Sequence, residues 1–545
     1  MLGELLLAAT LGLPLLMLAT CLSAYVRERM LAWLVFAPLP AIAAALFAVD
    51  SQWLVLGQGR LQLALQLDFL GAILLGVAAL LWSMAGLYAA SYLRGTANCG
   101  RFVVCWLMTL TGCLGAFVAA DMFSFYLLLA LLSVGACGLV VHDQSTAAWR
   151  SGGIYLGLSL FAESCVLLAF ILLAAGTQGD SLLIRDVVAE LPQSQWRDLT
   201  LGLLIVGLGL KSGLVPLHVW MPLAHAAAPI PASAVLSGAV VKVGIIGLIR
   251  FLPLHTALPD WGYALTVAGL FTALYGVAIG ITQQHPKAVL AYSSVSQMGV
   301  IVAVLGMGLS AGETSAALSA VWYAAHHVLV KGTLFLAVGL VAATGARQLW
   351  PLLLVVAVLA LGLGGLPLTG GALAKYAVKG PLGDGLAATV ANVSAAGTTL
   401  LMLHFVYRLK TFAAKDAQVQ PGKGLLIPWC VLALASLLIP WLMYLWVATG
   451  TVADLFEPAS LWLALRPPLV GIIAAIALWY WGGRLPRVPI GDIAVLFGAL
   501  LPPHGGVNLV LAQLDTWLRR WALACVALVV LSLLFAWTLY GGVRG

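Results

Sequence analysis

The chain has 545 residues, 63% of them hydrophobic and 8% charged, with a mean hydropathy of +1.08. A soluble globular chain spends about a quarter of its residues on charge, so this composition excludes a water-soluble fold, and with it the secreted, disordered and nucleic-acid-binding classes. The 26 Lys and Arg against 19 Asp and Glu are then read as membrane topology rather than as the footprint of an anionic partner.

Cutting the sequence wherever charge, Pro or Gly interrupts an apolar run able to cross roughly 30 Å of hydrocarbon predicts about sixteen membrane helices. In chain order they are expected at Leu2 to Val26, Met30 to Val49, Phe69 to Leu93, Phe102 to Ala120, Met122 to Val141, Gly153 to Ala175, Leu201 to Ala227 and Pro231 to Ile249. The remainder are Tyr263 to Ile281, Ala288 to Leu309, Ser315 to Ala343, Trp350 to Val378, Leu386 to Tyr407, Leu425 to Thr449, Pro468 to Trp481 and Trp521 to Tyr540. The first run lacks a basic leading region and a cleavage-like site, so it is expected to be a structural helix rather than a removed signal. Segment Ile490 to Leu518, interrupted by Pro502-Pro503 and Gly505-Gly506, is too patchy for a span and is expected along the membrane surface.

Alternating sides from an outer N-terminus puts Arg27, Arg29, Arg94, Arg101, Arg150, Lys287, Arg347, Arg408, Lys410, Lys415, Lys423, Arg484, Arg487, Arg519 and Arg520 on the cytoplasmic side. Acids gather in the opposite loops, at Asp180, Asp186, Glu190 and Asp198 and at Asp454 and Glu457, which is the positive-inside pattern. The longest clearly polar loop, Asp180 to Asp198, is too short for a separate domain. The 8 cysteines show no CxxC pairing and lie mostly in apolar runs, so they read as small core residues. With no thiolate cluster and no nucleotide-binding glycine loop, the chain is expected to hold no cofactor and no metal of its own, and any redox chemistry belongs to other subunits.

Charges inside apolar runs are informative because each costs on the order of 2.5 to 3.5 kcal/mol at the centre of a membrane helix. Lys211, Lys242, Lys331 and Lys375 are four such cations, whereas Glu163 is the one carboxylate deep in a run and Asp121 lies at the mouth of another. An ammonium in low dielectric tends to lose its proton unless water or a partner holds it, and a lysine that alternates between the two states can pass a proton across. Tyr323, His327 and Lys331 stand four apart and so share one helix face, which reads as a hydrated path, while His326 points elsewhere. Ser293, Ser296 and Gln297 form a second polar stripe, for which helix-to-helix hydrogen bonding is an equal explanation. Gly213 and Pro216 beside Lys211, and Gly365, Pro367 and Gly371 ahead of Lys375, predict two discontinuous helices.

The run KSGLVPLHVWMPLAHAAAPIPASAVLSGAVVKVGIIGLIRF resembles the central signature of the antiporter-like proton-translocating subunits shared by complex I, the Mrp-type cation/proton antiporters and membrane-bound hydrogenases. AYSSVSQMG, HHVLVKGTLFLAVG and GLPLTGGALAK are similar to three further blocks of that family, in the same order, and PLHVWMPLAHAAAP most resembles the large membrane subunit of the formate hydrogenlyase type. The resemblance implies an all-α, polytopic membrane fold of 14 to 16 transmembrane helices with two inverted five-helix repeats, over residues 102–250 and 251–410, flanked by terminal helices at 1–101 and 411–545. It also implies an ion path through Lys211, Lys242 and Lys375, with His327 and Lys331 between the two half-channels; Tyr323, His218, His225 and Glu163 are further candidate residues of that path. One departure stands out: DMFSFYLLLALLS places Ala130 where the family carries a glutamate, and Glu163, one helix later, is the candidate substitute.

Three functions follow. The first is a non-redox subunit moving H+ across a bacterial inner membrane while membrane and peripheral partners carry out electron transfer. The second is a cation/proton antiporter, moving Na+ against H+, or an ion-driven uptake subunit of the inorganic-carbon type. The third, favoured only by Ala130, is a non-conducting structural subunit.

Overall fold

The computed structural model describes residues 2–51, 53–56, 63–96, 98–179, 181–447, 452–481 and 486–493. Among them, thirteen helices are long and apolar enough to cross a membrane, and the shorter apolar Leu349–Gly364 adds to these. The architecture is all-α and polytopic, as expected, and the expected span Trp521 to Tyr540 lies outside the described residues.

The chain enters through α1 (Leu2–Thr20), followed by the short α2 (Ala24–Arg29). The expected span Met30 to Val49 is not one helix: a 3-10 turn at Met30–Trp33 leads through turns into α3 (Leu39–Phe47), nine residues long. Pro38 and Pro40 explain the break, since neither offers an amide to continue the ladder. The leg still returns to the end where the chain starts, because Gly3 lies against Ala48 and Ser51. A hairpin absent from the sequence reading follows, with β1 (Leu54–Leu56) antiparallel to β2 (Leu63–Leu65) and Val55 opposite Ala64.

Helix α4 (Phe69–Tyr92) starts where the Asp68 carboxylate accepts from the Gly71 amide at 3.1 Å. Next come α5 (Cys99–Val118) and α6 (Met122–Val140), the latter capped by Asp121, which accepts from Ser124 N at 2.8 Å and from the hairpin's Ala64 N at 2.7 Å. Asp121 is therefore a cap and a tether for the hairpin. Ser145 caps α7 (Thr146–Gly176) through the Ala148 amide. After the short α8 (Ile184–Glu190), helix α9 (Arg197–Ser212) stops at left-handed Gly213. A loop and a 3-10 turn at Leu217–Val219 lead to α10 (Trp220–Ala227), so the expected discontinuity is present. Helix α11 (Ile230–Val235) runs through a five-residue π-turn, Leu236–Val240, into α12 (Val241–Phe251).

The chain continues with α13 (Pro259–Gly280), α14 (Pro286–Ala311), α15 (Ser315–Ala342), α16 (Leu349–Gly364) and α17 (Gly370–Leu382), and then α18 (Leu386–Lys410). The break between α16 and α17 begins at left-handed Gly365 and is the second predicted discontinuity. Further on lie α19 (Lys423–Val447), the short α20 (Val452–Phe456) and α21 (Pro458–Trp481). Helices α14 and α15 are buried throughout their apolar windows. Gly262, Gly269 and Gly276, seven apart on α13, bring its backbone onto α14 at Ser310, Ala303 and Ser296, the close approach that small residues permit. On α19, Leu434, Leu438, Leu442 and Leu445 are exposed at helical spacing, which suits lipid or an apolar partner.

Arg250, at the end of α12, ties that helix to the end of α5 and the start of α4. Its guanidinium donates to the carbonyls of Ala116 at 3.1 Å, Phe117 at 2.6 Å and Ala119 at 2.6 Å, and to Asp68 Oδ1 at 3.0 Å. These carbonyls end α5 and have no partner within the helix, so a fixed cationic fork is the matching donor. We expect Arg250→Ala to destabilise the protein by roughly 3 kcal/mol. The reading is a lowered melting temperature in detergent, with only partial recovery in Arg250→Lys. An unchanged melting curve would mean that water satisfies these carbonyls.

Candidate functional site

The first break positions a buried ion pair. Lys211 falls in the last turn of α9, where the helix dipole favours a cation, and its Nζ lies 2.8 Å from Glu163 Oε1 of α7. Ser133 of α6 joins them: its hydroxyl accepts from Lys211 Nζ at 2.7 Å and donates to Glu163 Oε1. Glu163 is fully buried, Lys211 is 6% exposed, and Glu163 Oε2 has no hydrogen-bond partner among the described residues. Lys211 thus meets its acid from α7, with Ser133 of α6, one turn beyond Ala130, as the bridge. Sequence reasoning missed Ser133, whose only signal is its place on the same face of α6 as Ala130.

Beyond the break, His218 lies in the 3-10 turn and His225 in α10, and both are fully buried. His218 Nε2 is 3.2 Å from Asp492 Oδ2. His225 packs edge-on against Trp220 and Phe335, and neither of its ring nitrogens has a hydrogen-bond partner among the described residues.

Lys242 follows the π-turn, a distortion frequent at functional sites because it re-aims the side chains around it. Its Nζ donates to the Ser237 carbonyl at 3.1 Å and stands 2.6 Å from His327 Nδ1. One turn along α15 from His327, Lys331 Nζ donates to the Leu290 carbonyl of α14 at 2.9 Å. One turn the other way, the Tyr323 hydroxyl donates to Gln297 Oε1 at 2.5 Å, and Gln297 Nε2 donates to Thr398 Oγ1 at 2.8 Å. The predicted stripe Tyr323, His327 and Lys331 is therefore one buried polar edge, with steps of about 6 Å. The second stripe divides: Ser296 meets Ser394 of α18 at 3.3 Å and Gln297 joins Tyr323, while Ser293 Oγ has no partner among the described residues.

The second break positions Lys375, whose Nζ donates to the Gly364 carbonyl at the end of α16. Lys375, Gln297, Tyr323, Ser394 and Thr398 line one cavity of about 590 Å³, which reaches the exposed Lys379 and Asp384. Lys287, expected in a solvated loop, is instead buried, with its Nζ donating to the Ala228 carbonyl at 2.6 Å. Its position at the edge of an apolar run gives the same sequence signal as a solvated charge. No cluster of His, Cys, Asp or Glu able to hold a metal occurs among the described residues.

Chemically, the arrangement offers proton donors and acceptors in hydrogen-bond contact at three places: Glu163 with Lys211, Lys242 with His327, and Tyr323 with Gln297. Buried polar atoms that no described residue meets include His327 Nε2, His225 Nδ1 and Nε2, and Ser293 Oγ. Such atoms are ordinarily satisfied by water.

Comparison with known proteins agrees with this geometry. Residues 119–403 match the family model "NADH:quinone oxidoreductase/Mrp antiporter, TM". Hydrogenase-4 component B of Escherichia coli (strain K12) is 31% identical over 293 residues, covering 51% of this chain and 43% of that protein. An Na(+)/H(+) antiporter subunit of Bacillus subtilis (strain 168) is 32% identical over 281 residues, covering 49% of this chain and 35% of that protein. The chain thus spans less than half the length of these two relatives. A chain in the structure of the Mrp complex from Dietzia sp. DQ12-45-1b superposes with a TM-score of 0.69 at 21% identity, covering 85% of this chain and 99% of that one, which shows a shared fold. A family match over more than half of the sequence, on a fold with both helix breaks in place, makes this chain a multi-pass membrane member of the NADH:quinone oxidoreductase/Mrp antiporter family.

Proposed function

We propose that the chain is the proton-translocating membrane subunit of a complex I-like or membrane-bound hydrogenase-like respiratory complex in a bacterial inner membrane. Partner subunits carry the electrons, and this chain moves H+ through Lys211, Lys242, His327, Lys331 and Lys375. The observation that carries the reading is the contact of Lys242 with His327, 2.6 Å apart and fully buried at the centre of the bundle. Two bases sharing one proton in that setting have little structural use, because a packed apolar pair would cost less. Glu163 with Lys211 on one side, and Tyr323, Gln297 and Lys375 on the other, extend the path towards both breaks. The similarity to Hydrogenase-4 component B supports a redox-driven complex.

A second reading, in which the chain belongs to a cation/proton antiporter, is favoured by the similarity to the Na(+)/H(+) antiporter protein of Bacillus subtilis. One experiment separates the two. The native complex, purified with its partners and reconstituted in vesicles, is tested for internal acidification driven by a reductant and, separately, by an imposed Na+ gradient. Reductant-driven acidification that disappears in Lys211→Ala is the expected result. Acidification driven by Na+ alone would favour the antiporter, and none under either condition in the wild-type complex would refute transport.

A further inference from the structure

After its last described helix the chain returns to the first break. Gln283, in the turn between α13 and α14, donates through Nε2 to the Val488 carbonyl at 3.1 Å, which fixes residues 486–493 over that end of the bundle. The backbone then turns inward at Gly491, where φ is +90° and Leu223 of α10 lies alongside. Asp492 follows, 1% exposed. Its Oδ2 accepts from the Tyr275 hydroxyl at 2.7 Å and stands 3.2 Å from His218 Nε2, while its Oδ1 accepts from the Ile493 amide at 2.5 Å. The titratable groups facing this carboxylate are His218 from the 3-10 turn, Tyr275 from α13 and Tyr292 from α14. Burial works to raise its proton affinity, yet the contact with His218 and the hydrogen bond from Tyr275 hold its carboxyl below the usual range.

A carboxylate this buried, brought in by a separate segment onto a buried histidine, is a costly arrangement for a mere tether, because apolar residues would anchor the segment without desolvating a charge. We propose that Asp492 is a further residue of the ion path, passing protons between the outer edge of the α13–α14 turn and His218. The step balances. With the resting His218 proton on Nδ1, a proton taken up by the Asp492 carboxylate crosses the 3.2 Å contact to the bare Nε2, leaving a carboxylate and an imidazolium. The imidazolium then releases a proton from Nδ1, an atom with no hydrogen-bond partner among the described residues, towards the interior. Tyr275 positions the carboxylate.

This rests on the transport reading above, and its test is built so that the two can fail separately. In the reconstituted complex, Asp492→Asn should lower the transport rate at least about tenfold while the complex stays intact by size exclusion, and Asp492→Glu should recover much of it. His218→Asn combined with Asp492→Asn should be no worse than the more damaging single change, because the two act in series. Tyr275→Phe removes a donor that favours the ionised carboxyl, so the acid limb of the pH-rate profile should move to higher pH. That variant also decides the matter if Asp492→Asn does not assemble. Wild-type rates in Asp492→Asn, losses that multiply in the double variant, or an unmoved acid limb in Tyr275→Phe would each overturn the proposal. Transport that depends on Lys211 would still stand in those cases, whereas a wild-type complex that moves no ions would refute the underlying reading instead.

Discussion

Glu163→Gln is expected to reduce transport by more than about tenfold, close to the level of Lys211→Ala, with the complex still assembled. Lys211 Nζ has two described partners, Glu163 at 2.8 Å and Ser133 at 2.7 Å, and both are buried. The substitution leaves Lys211 Nζ its 2.7 Å hydrogen bond to Ser133, and the glutamine amide oxygen offers a second acceptor of the same size, so no buried donor is stranded. The fold then survives, but the charge alternation is lost. The sharper form of the test moves the acid. Ala130 lies one turn from Ser133 on α6, so Ala130→Glu in the Glu163→Gln background should restore a measurable part of the rate. Unchanged transport in Glu163→Gln would remove the pair from the path, and no recovery in the double variant would mean that the acid must approach from α7.

His327→Gln should assemble like the wild type and transport at no more than about a tenth of its rate. The glutamine carbonyl can accept from Lys242 Nζ, so the 2.6 Å contact is retained in kind. What it cannot do is take the proton and release it elsewhere. If His327 accepts at Nδ1, its proton resides on Nε2, the nitrogen without a hydrogen-bond partner among the described residues. A proton arriving from Lys242 at one nitrogen can then leave from the other. Near-normal transport by His327→Gln would reduce this histidine to a hydrogen-bond acceptor for Lys242.

How much of this was readable from sequence follows from the physics of each residue. Lys211, Lys242, Lys331 and Lys375 stand out because charge is expensive in an apolar run, and the two breaks stand out because Gly213 with Pro216, and Gly365 with Pro367, punctuate otherwise regular helices. Glu163 is legible for the same reason as the lysines. Its pairing with Lys211 is not, since the contact spans 48 positions and depends on how α7 packs on α9. The hairpin is hidden because three-residue strands leave no periodic pattern. Lys287 looks like a loop charge because it begins a helix, and only its tertiary contact with Ala228 shows that it is buried. Asp492 is the least legible. It lies in a segment of mixed polarity, and its partner His218 is 274 positions away.

The π-turn at Leu236–Val240 makes the site sensitive to helical winding as well as chemistry. It holds one more residue than regular helix would need for the same rise, so Lys242 faces His327 only while the turn stays wide. Were the same residues to wind as regular helix instead, everything after them would rotate by about 100°. Lys242 would swing away from its histidine without any change in its own identity. A change of winding in an apolar stretch, invisible to composition, would thereby part the buried contact between Lys242 and His327.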